Sequence, residues 1–461
     1  MKFTFNKKTV LIYGGLFFLI QCIFAIVFYR ERLFTDCSYY LLNTINSGWF
    51  CIMHQRFILG LAELLPFIGS HLGLPLKALL ILFSLNNVLF FGVMFLIMLK
   101  RNDLPGALAM TALLAFATLN LFVAPIIEIW YGAAFAILLY SILQKELLTK
   151  MDYLWIALLE ITVLFSHPEN FILIGFFTLL DIQKKKAFTR LHAMMVVIII
   201  ACGIFKYLTL DSYEGAKVGW DVGFNYLKQI NGSWLGSIGL LLIHYYWVLL
   251  LLIFLTCINY IITKQYFRGV IVFFTFVAMI ALVNSVEANN VYSLYGSVMY
   301  LPIVSIAVVP FFYDTFRPMK DKTKTIAFVL FVLVIGYRFY KQPKAISSWT
   351  ARVGQLERII SASDKEQGSK FMVDSKKYAK YYSKIEWSYP METLLLSAER
   401  GNGMARSIIT DEDNSQMKST AIFSDTSIVV WRQFDIKHTK DLNPKYFRLQ
   451  SGVYKPLDFK E

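Results

Sequence analysis

Apolar residues fill this chain in blocks of about 18–23, divided by short polar stretches, over roughly its first three quarters. A helix needs about that length to cross some 30 Å of hydrocarbon. The segments must be helical because a backbone in lipid has to satisfy its own hydrogen bonds. The blocks predict about eleven spans: Thr9–Tyr29, Lys77–Leu99, Leu104–Val123, Trp130–Leu148, Tyr153–Phe165, Asn170–Leu180, Ala193–Leu210, Leu235–Ile262, Val270–Val286, Tyr292–Tyr313 and Thr325–Tyr340. The pattern changes after Lys341. Residues 341–461 are polar, with a helical stretch near Arg352–Ser361 and strand-like runs near Ser419–Phe423 and Ser427–Phe434. The predicted fold is an α-helical polytopic membrane protein, residues 1–340, followed by a small α/β domain, residues 341–461.

Composition supports this division, since 57% of the chain is hydrophobic against about 45–50% in soluble domains. The formal charge of +14 would suit a nucleic-acid binder, but its location argues otherwise. Lys100-Arg101, Lys145 with Lys150, Lys184-Lys185-Lys186, Lys264 with Arg268, and Arg317 to Lys324 all fall in alternate loops. That is the distribution the positive-inside rule requires of a cytoplasmic face. The N-terminus then lies in the cytoplasm, and an odd number of spans places the C-terminal domain outside, as in a bacterial cytoplasmic (inner) membrane protein. No nucleic-acid partner is expected.

Phosphate-binding, nucleophile-elbow, zinc-protease and dinucleotide motifs are absent. The five cysteines show no metal spacing. Chemistry is therefore sought among ionisable residues at the membrane surface, where they are expensive and often functional. The long first outer loop, residues 30–76, carries Asp36, His54 and Arg56 beside short apolar stretches suited to interfacial helices. Charge counting puts Glu128, His167, Glu169, Lys206 and Glu287 on the same side, and Asp211, Glu214 and Lys217 in the second large outer loop. Several such groups at one depth suggest a polar cavity. The plainer reading is that Asp36 caps a surface helix, Arg56 snorkels to headgroups and the others serve caps and turns. Cys37 and Cys51 share the first outer loop, where an oxidising compartment permits a disulfide.

Phe34-Thr35-Asp36, placed soon after a first span and within a long outer loop, resembles the GT-C class of membrane glycosyltransferases. That class includes protein O-mannosyltransferases and lipid A aminoarabinose transferases. The resemblance implies transfer of a sugar from a polyprenyl-phosphate carrier to a lipid, glycan or protein acceptor on the extracytoplasmic side. Asp36 would be the general base, with Arg56, His54 and Lys206 near the phosphate and Glu169 and Glu287 near sugar hydroxyls. Many members pair two acidic residues; Cys37 stands in the second place here, although a divalent metal remains compatible with the class. Two other classes fit the scaffold: a membrane transporter or lipid-linked glycan flippase, and a non-catalytic glycan-assembly scaffold.

Overall fold

The computed structural model describes residues 5–210, 215, 232–286, 298–374, 388–400, 404–410, 424–431 and 435–457. It is mostly helical, with small sheets near the C-terminus. Among the described residues, five helices are long and apolar enough to cross a membrane: α1 (Lys7–Val27), α5 (Leu76–Lys100), α10 (Arg190–Leu208), α13 (Tyr266–Val286, of which Tyr266–Asn284 is described in full) and α15 (Asp321–Ser363). A bent pair, α11 (Gly232–Tyr245) and α12 (Trp247–Ile262), adds a sixth if it is one span. Shorter apolar helices are α6 (Leu104–Leu121), α7 (Glu128–Leu143), α8 (Lys150–Ser166), α9 (Asn170–Lys185) and α14 (Tyr300–Pro310).

Burial sets some of these helices at the centre: every residue of α14 and nearly every residue of α7 is buried. Ala107, Ala109, Ala112 and Ala115 on α6 and Gly132, Ala133, Ala134 and Ala136 on α7 supply the small side chains that let helices approach closely where there is no hydrophobic drive between them. The long helices α1, α10 and α13 are peripheral. They turn apolar side chains outward: Leu16, Leu19 and Ile23 on α1, Val197 and Ile204 on α10, Phe273 and Phe274 on α13. So much outward apolar surface is compatible with an integral membrane protein and foreign to an aqueous one.

Hydrogen bonds gather the polar loops at two ends. At one end Lys7 donates to Asn102, Tyr313 to Asp103, and Arg268 and Tyr260 both to Asp314 at 2.6 Å. Lys145 pairs with Asp152, and His192 with Asp181. These are the basic loops identified in the sequence. At the other end the first outer loop folds into α2 (Asp36–Ser47), α3 (Leu59–Ala62) and α4 (Leu64–His71) and lies over the bundle. Trp49, Phe57, Ile68 and Leu72 of this loop are exposed, as interfacial segments require.

Two helices differ from the sequence expectation. The apolar run over Leu235–Ile262 reads as one helix, yet α11 and α12 meet at 91° at Tyr246. The Tyr245 carbonyl at this break accepts from Arg338, which also donates to the carbonyls of Ala115 and Phe116. The spans and tail helix expected at Thr325–Tyr340 and Arg352–Ser361 are one 43-residue helix, α15, with Pro343 inside it. The boundary at residues 340 and 341 therefore falls within a helix that carries the chain from the bundle into the C-terminal domain.

In that domain β1 (Lys370–Val373) is the centre of a parallel sheet between β2 (Ser407–Thr410) and β5 (Lys455–Pro456). Parallel neighbours need a crossover; α16 (Tyr389–Glu399) supplies it between β1 and β2. The strand expected over Ser427–Phe434 appears as β3 (Ser427–Trp431), paired antiparallel with β4 (Asp435–His438). The strand expected at Ser419–Phe423 lies outside the described residues. The domain docks on the outer loop. Arg30 pairs with Glu357 and Glu399, the Thr35 N–H donates to Glu392, Asn46 joins residues 441 and 443, and Tyr446 donates to the Leu74 carbonyl.

Candidate functional site

Asp36 is the first residue of α2 and half-buried. The N-cap position belongs to Thr35, whose side chain makes no cap hydrogen bond, so capping does not account for Asp36. Tyr40 lies one turn further along, facing the same way by the i, i+4 rule. Burial pushes its phenol well above the usual range, and the charges of Glu128 and Asp36 push it further; Arg56 pulls the other way. Asp36, Glu128 and Arg56 thus all lie within electrostatic range of the Tyr40 phenol. Arg56 and Glu128 form an ion pair that is 16% and 12% exposed. Glu128 opens α7, where the helix dipole also favours a carboxylate.

The segment carrying His54 and Arg56 is bent sharply. His54 and Gln55 both have positive φ, 52° and 58°, where non-glycine residues are uncommon. The bend lets Gln55 donate to the Thr209 carbonyl and accept from the Thr209 hydroxyl, tying the outer loop to the end of α10. Lys206 lies one turn back on α10, with its ammonium 5.6 Å from the Phe165 ring centroid. Phe57 meets the same Phe165 ring. His167 and Glu169 follow on the α8–α9 turn, where the Glu169 N–H donates to His167 Nδ1 at 3.4 Å. One Glu169 oxygen is buried without a partner, and burial pushes this carboxyl up to about 8. Close approach of α7 to this turn depends on Gly132, because a Cβ there would overlap Ser166 and Asn170.

The outer loop thus pairs Arg56 with Glu128, within electrostatic range of the phenol that Asp36 also acts on, and is tied through Gln55 and Phe57 to the ends of α10 and α8 near Lys206; His167 and Glu169 share the neighbouring α8–α9 turn. Glu287 and the second-loop residues Asp211, Glu214 and Lys217 lie outside the described residues. The expected disulfide is not formed: all five cysteines are free thiols. Cys37 Sγ turns into the bundle toward the Val123 carbonyl, 3.9 Å away, whereas Cys51 is held by its N–H to Glu63. Shared loop membership says nothing about where two side chains point. Among the described residues no group of three His, Cys, Asp or Glu side chains is arranged to hold a metal ion.

Sequence reading missed Tyr40, Glu63 and Glu160. Tyr40 was legible as the i+4 neighbour of Asp36. Glu160 lies about 15 Å along α8 from Lys150, fully buried, with neither oxygen partnered. Glu63 is fully buried between α3 and α4, and its Oε2 accepts from Thr44 Oγ1 and the Cys51 N–H, each at 2.7 Å. Burial pushes its carboxyl up to about 8, although both hydrogen bonds pull downward.

A prediction follows from the Glu63 shift. The folded protein holds a proton that the unfolded chain releases near pH 4.3. Its contribution to stability is therefore complete below that pH and is lost as pH rises through about 8. Glu63→Gln, which mimics the neutral acid, should be increasingly more stable than wild type up to about pH 8, by a few kcal/mol at most, and then level off. Thermal unfolding in detergent between pH 5 and 9 measures this; a stability difference that does not change with pH would refute the assignment.

No family model, curated protein or solved structure matches this chain.

Proposed function

We propose that this chain is a membrane glycosyltransferase of GT-C type, moving a sugar from a polyprenyl-phosphate carrier to an acceptor hydroxyl on the extracytoplasmic side. On this reading about eleven spans cross the membrane with the N-terminus cytoplasmic. The basic loops mark the cytoplasmic end and the C-terminal domain lies outside, in a bacterial inner membrane. The observation that carries the proposal is the half-buried Arg56–Glu128 ion pair, which lies with Asp36 within electrostatic range of Tyr40 at the end where the outer loop and the C-terminal domain close over the bundle.

The acceptor hydroxyl attacks the anomeric carbon. Its proton passes to Asp36 as general base. The bond from the anomeric carbon to the phosphate oxygen breaks, and polyprenyl phosphate leaves with the bonding pair. Negative charge grows on that phosphate, so cations must meet it; Lys206, His54 and Arg56, the last exchanging Glu128 for the phosphate, are the groups assigned to it. Glu169, whose carboxyl burial pushes up to about 8, can in its protonated form donate a hydrogen bond to a sugar hydroxyl. The exposed apolar residues of the outer loop suit the lipid tail of the donor and surrounding membrane lipids.

The experiment uses purified protein in sealed liposomes with labelled polyprenyl-phosphate hexoses and pentoses supplied to either face. Turnover is expected only from the face bearing the C-terminal domain. Absence of cleavage with every donor on both faces would discard the proposal.

A transporter or flippase is the second reading, favoured by the break between α11 and α12 and by buried Glu160, since broken helices and mid-membrane carboxyls line transport paths. The same liposomes separate the two: a transporter moves the labelled lipid across without cleaving its phosphoester.

A further inference from the structure

The peptide before Asp36 has a conformation it would not hold alone. Thr35 has φ 47° and ψ −114°. A β-branched residue at positive φ is a genuine outlier, kept only where its surroundings over-determine it. The surroundings here come from the C-terminal domain. The Thr35 N–H donates to Glu392 Oε1 at 3.2 Å, across 357 residues of chain. Glu392 lies on α16, is buried, and is itself fixed. Arg352 Nε and Nη2 reach its two oxygens at 3.0 Å each, and the Ser388 hydroxyl donates to Oε1 at 2.7 Å.

Arg352 belongs to α15, the helix that runs out of the bundle. Its guanidinium lies 4.8 Å from the Tyr389 ring centroid and 5.5 Å from that of Phe34, whose ring in turn packs at 4.2 Å on Trp349. Thr350, on the same stretch of α15, donates to Glu31. Glu31, Phe34 and Thr35 are thus held by side chains of α15 and α16, while Arg32 between them anchors the segment to the bundle through Asn87 and the Phe122 carbonyl, and Asp36 follows at the next position.

A buried ion pair adds little to stability compared with an apolar pair of the same size. What this one supplies is a fixed, charged acceptor for one particular peptide N–H. A charge-assisted bond of that kind has strict direction.

We propose that the Arg352–Glu392 pair is a positioning device: it holds Thr35 at positive φ and so sets the direction in which Asp36 enters the site. The inference rests on Asp36 being the general base. It gives the C-terminal domain a part in catalysis without contact with substrate, and it makes domain docking a condition of activity. Glu392 and Arg352 are positioning residues, because neither touches the reacting atoms.

The test compares wild type, Glu392→Gln, Thr35→Gly and the double variant in the full-length protein, with Asp36→Asn alongside. Two readouts are used: amide hydrogen exchange over residues 34–38, and turnover of the labelled polyprenyl-phosphate donors. Glu392→Gln should speed exchange at this segment and lower kcat about 10–100-fold, with donor KM within about twofold, as expected for a small misplacement of a catalytic group. Glycine adopts positive φ without steric strain. Thr35→Gly alone should therefore stay near wild type, and in the Glu392→Gln background it should recover most of the lost kcat. A purely structural role for Glu392 would show no such recovery. Should Glu392→Gln fail to accumulate, Ser388→Ala removes one donor to Glu392 and one acceptor from Arg352 while leaving the Arg352–Glu392 pair in place, and should move both readouts the same way by less. Unchanged exchange over 34–38 in these variants overturns the proposal, as does lost protection with kcat retained. If Asp36→Asn itself stays active, the glycosyl-transfer reading falls, while the exchange measurement still decides whether the clamp exists.

Discussion

Replacing Asp36 by Asn should lower sugar transfer by about 10²–10⁴-fold, the usual consequence of losing a general base, while leaving the protein inserted and folded. Asn keeps the size and polarity of the side chain but cannot take the acceptor proton. The structural alternative forecasts something much smaller. Asp36 is the first residue of α2 and not its cap, so what Asn removes structurally is a charge in the first turn. Such a charge is worth about 0.3–1 kcal/mol through the helix dipole. The two outcomes are separated by reading donor turnover beside protein abundance and thermal stability. Wild-type turnover from well-folded Asp36→Asn protein would remove the catalytic assignment, and with it the main support for glycosyl transfer.

Asp36 could be picked out from the sequence because its location needed only local information: one apolar block, then an acidic residue within a few positions. The same holds for most helices, whose apolar runs match α1, α5, α10 and α13 within a few residues. The break at Tyr246 was not legible. Leu242 to Val248 is apolar and aromatic apart from His244, with neither glycine nor proline. At the 91° bend the Tyr245 carbonyl is taken up by Arg338, almost a hundred residues later. Nor was the continuity of α15, since Pro343 and the polar turn at Lys341 both read as a stop. The helix continues because its outer half has a buried face of its own, made of Ile346, Arg352, Leu356, Ile359 and Ile360.

Within the site the limit is the same. Residues on one element, such as Asp36 and Tyr40, can be related by helical spacing. Pairs brought together by folding, such as Arg56 with Glu128 or Thr35 with Glu392, leave no mark in a single sequence. Charge counting placed Glu128 and Arg56 on one side of the membrane and gave no hint that they neutralise each other. That pairing changes what Arg56 is expected to do.

Arg56→Ala should raise donor KM about 10–100-fold and change kcat less, because charged hydrogen bonds contribute about 1.5–3 kcal/mol. Two effects add in the same direction. The guanidinium no longer meets the donor phosphate, and Glu128, which the pair leaves only 12% exposed, keeps an uncompensated negative charge beside it. Glu128→Gln on its own should do the opposite, freeing the guanidinium and lowering donor KM. The double variant separates the contributions, since neighbours in one pair are not additive. If Arg56 serves only to neutralise Glu128, Arg56→Ala/Glu128→Gln recovers wild-type KM. If Arg56 itself binds the phosphate, the double variant stays weak. Arg56→Lys should fall between the two, since it keeps the charge but loses the planar fork that grips a phosphate. Initial rates across a donor titration, with acceptor saturating, give all four values. A donor KM unchanged in Arg56→Ala would exclude Arg56 from the phosphate site and leave Lys206 as the cation to examine there.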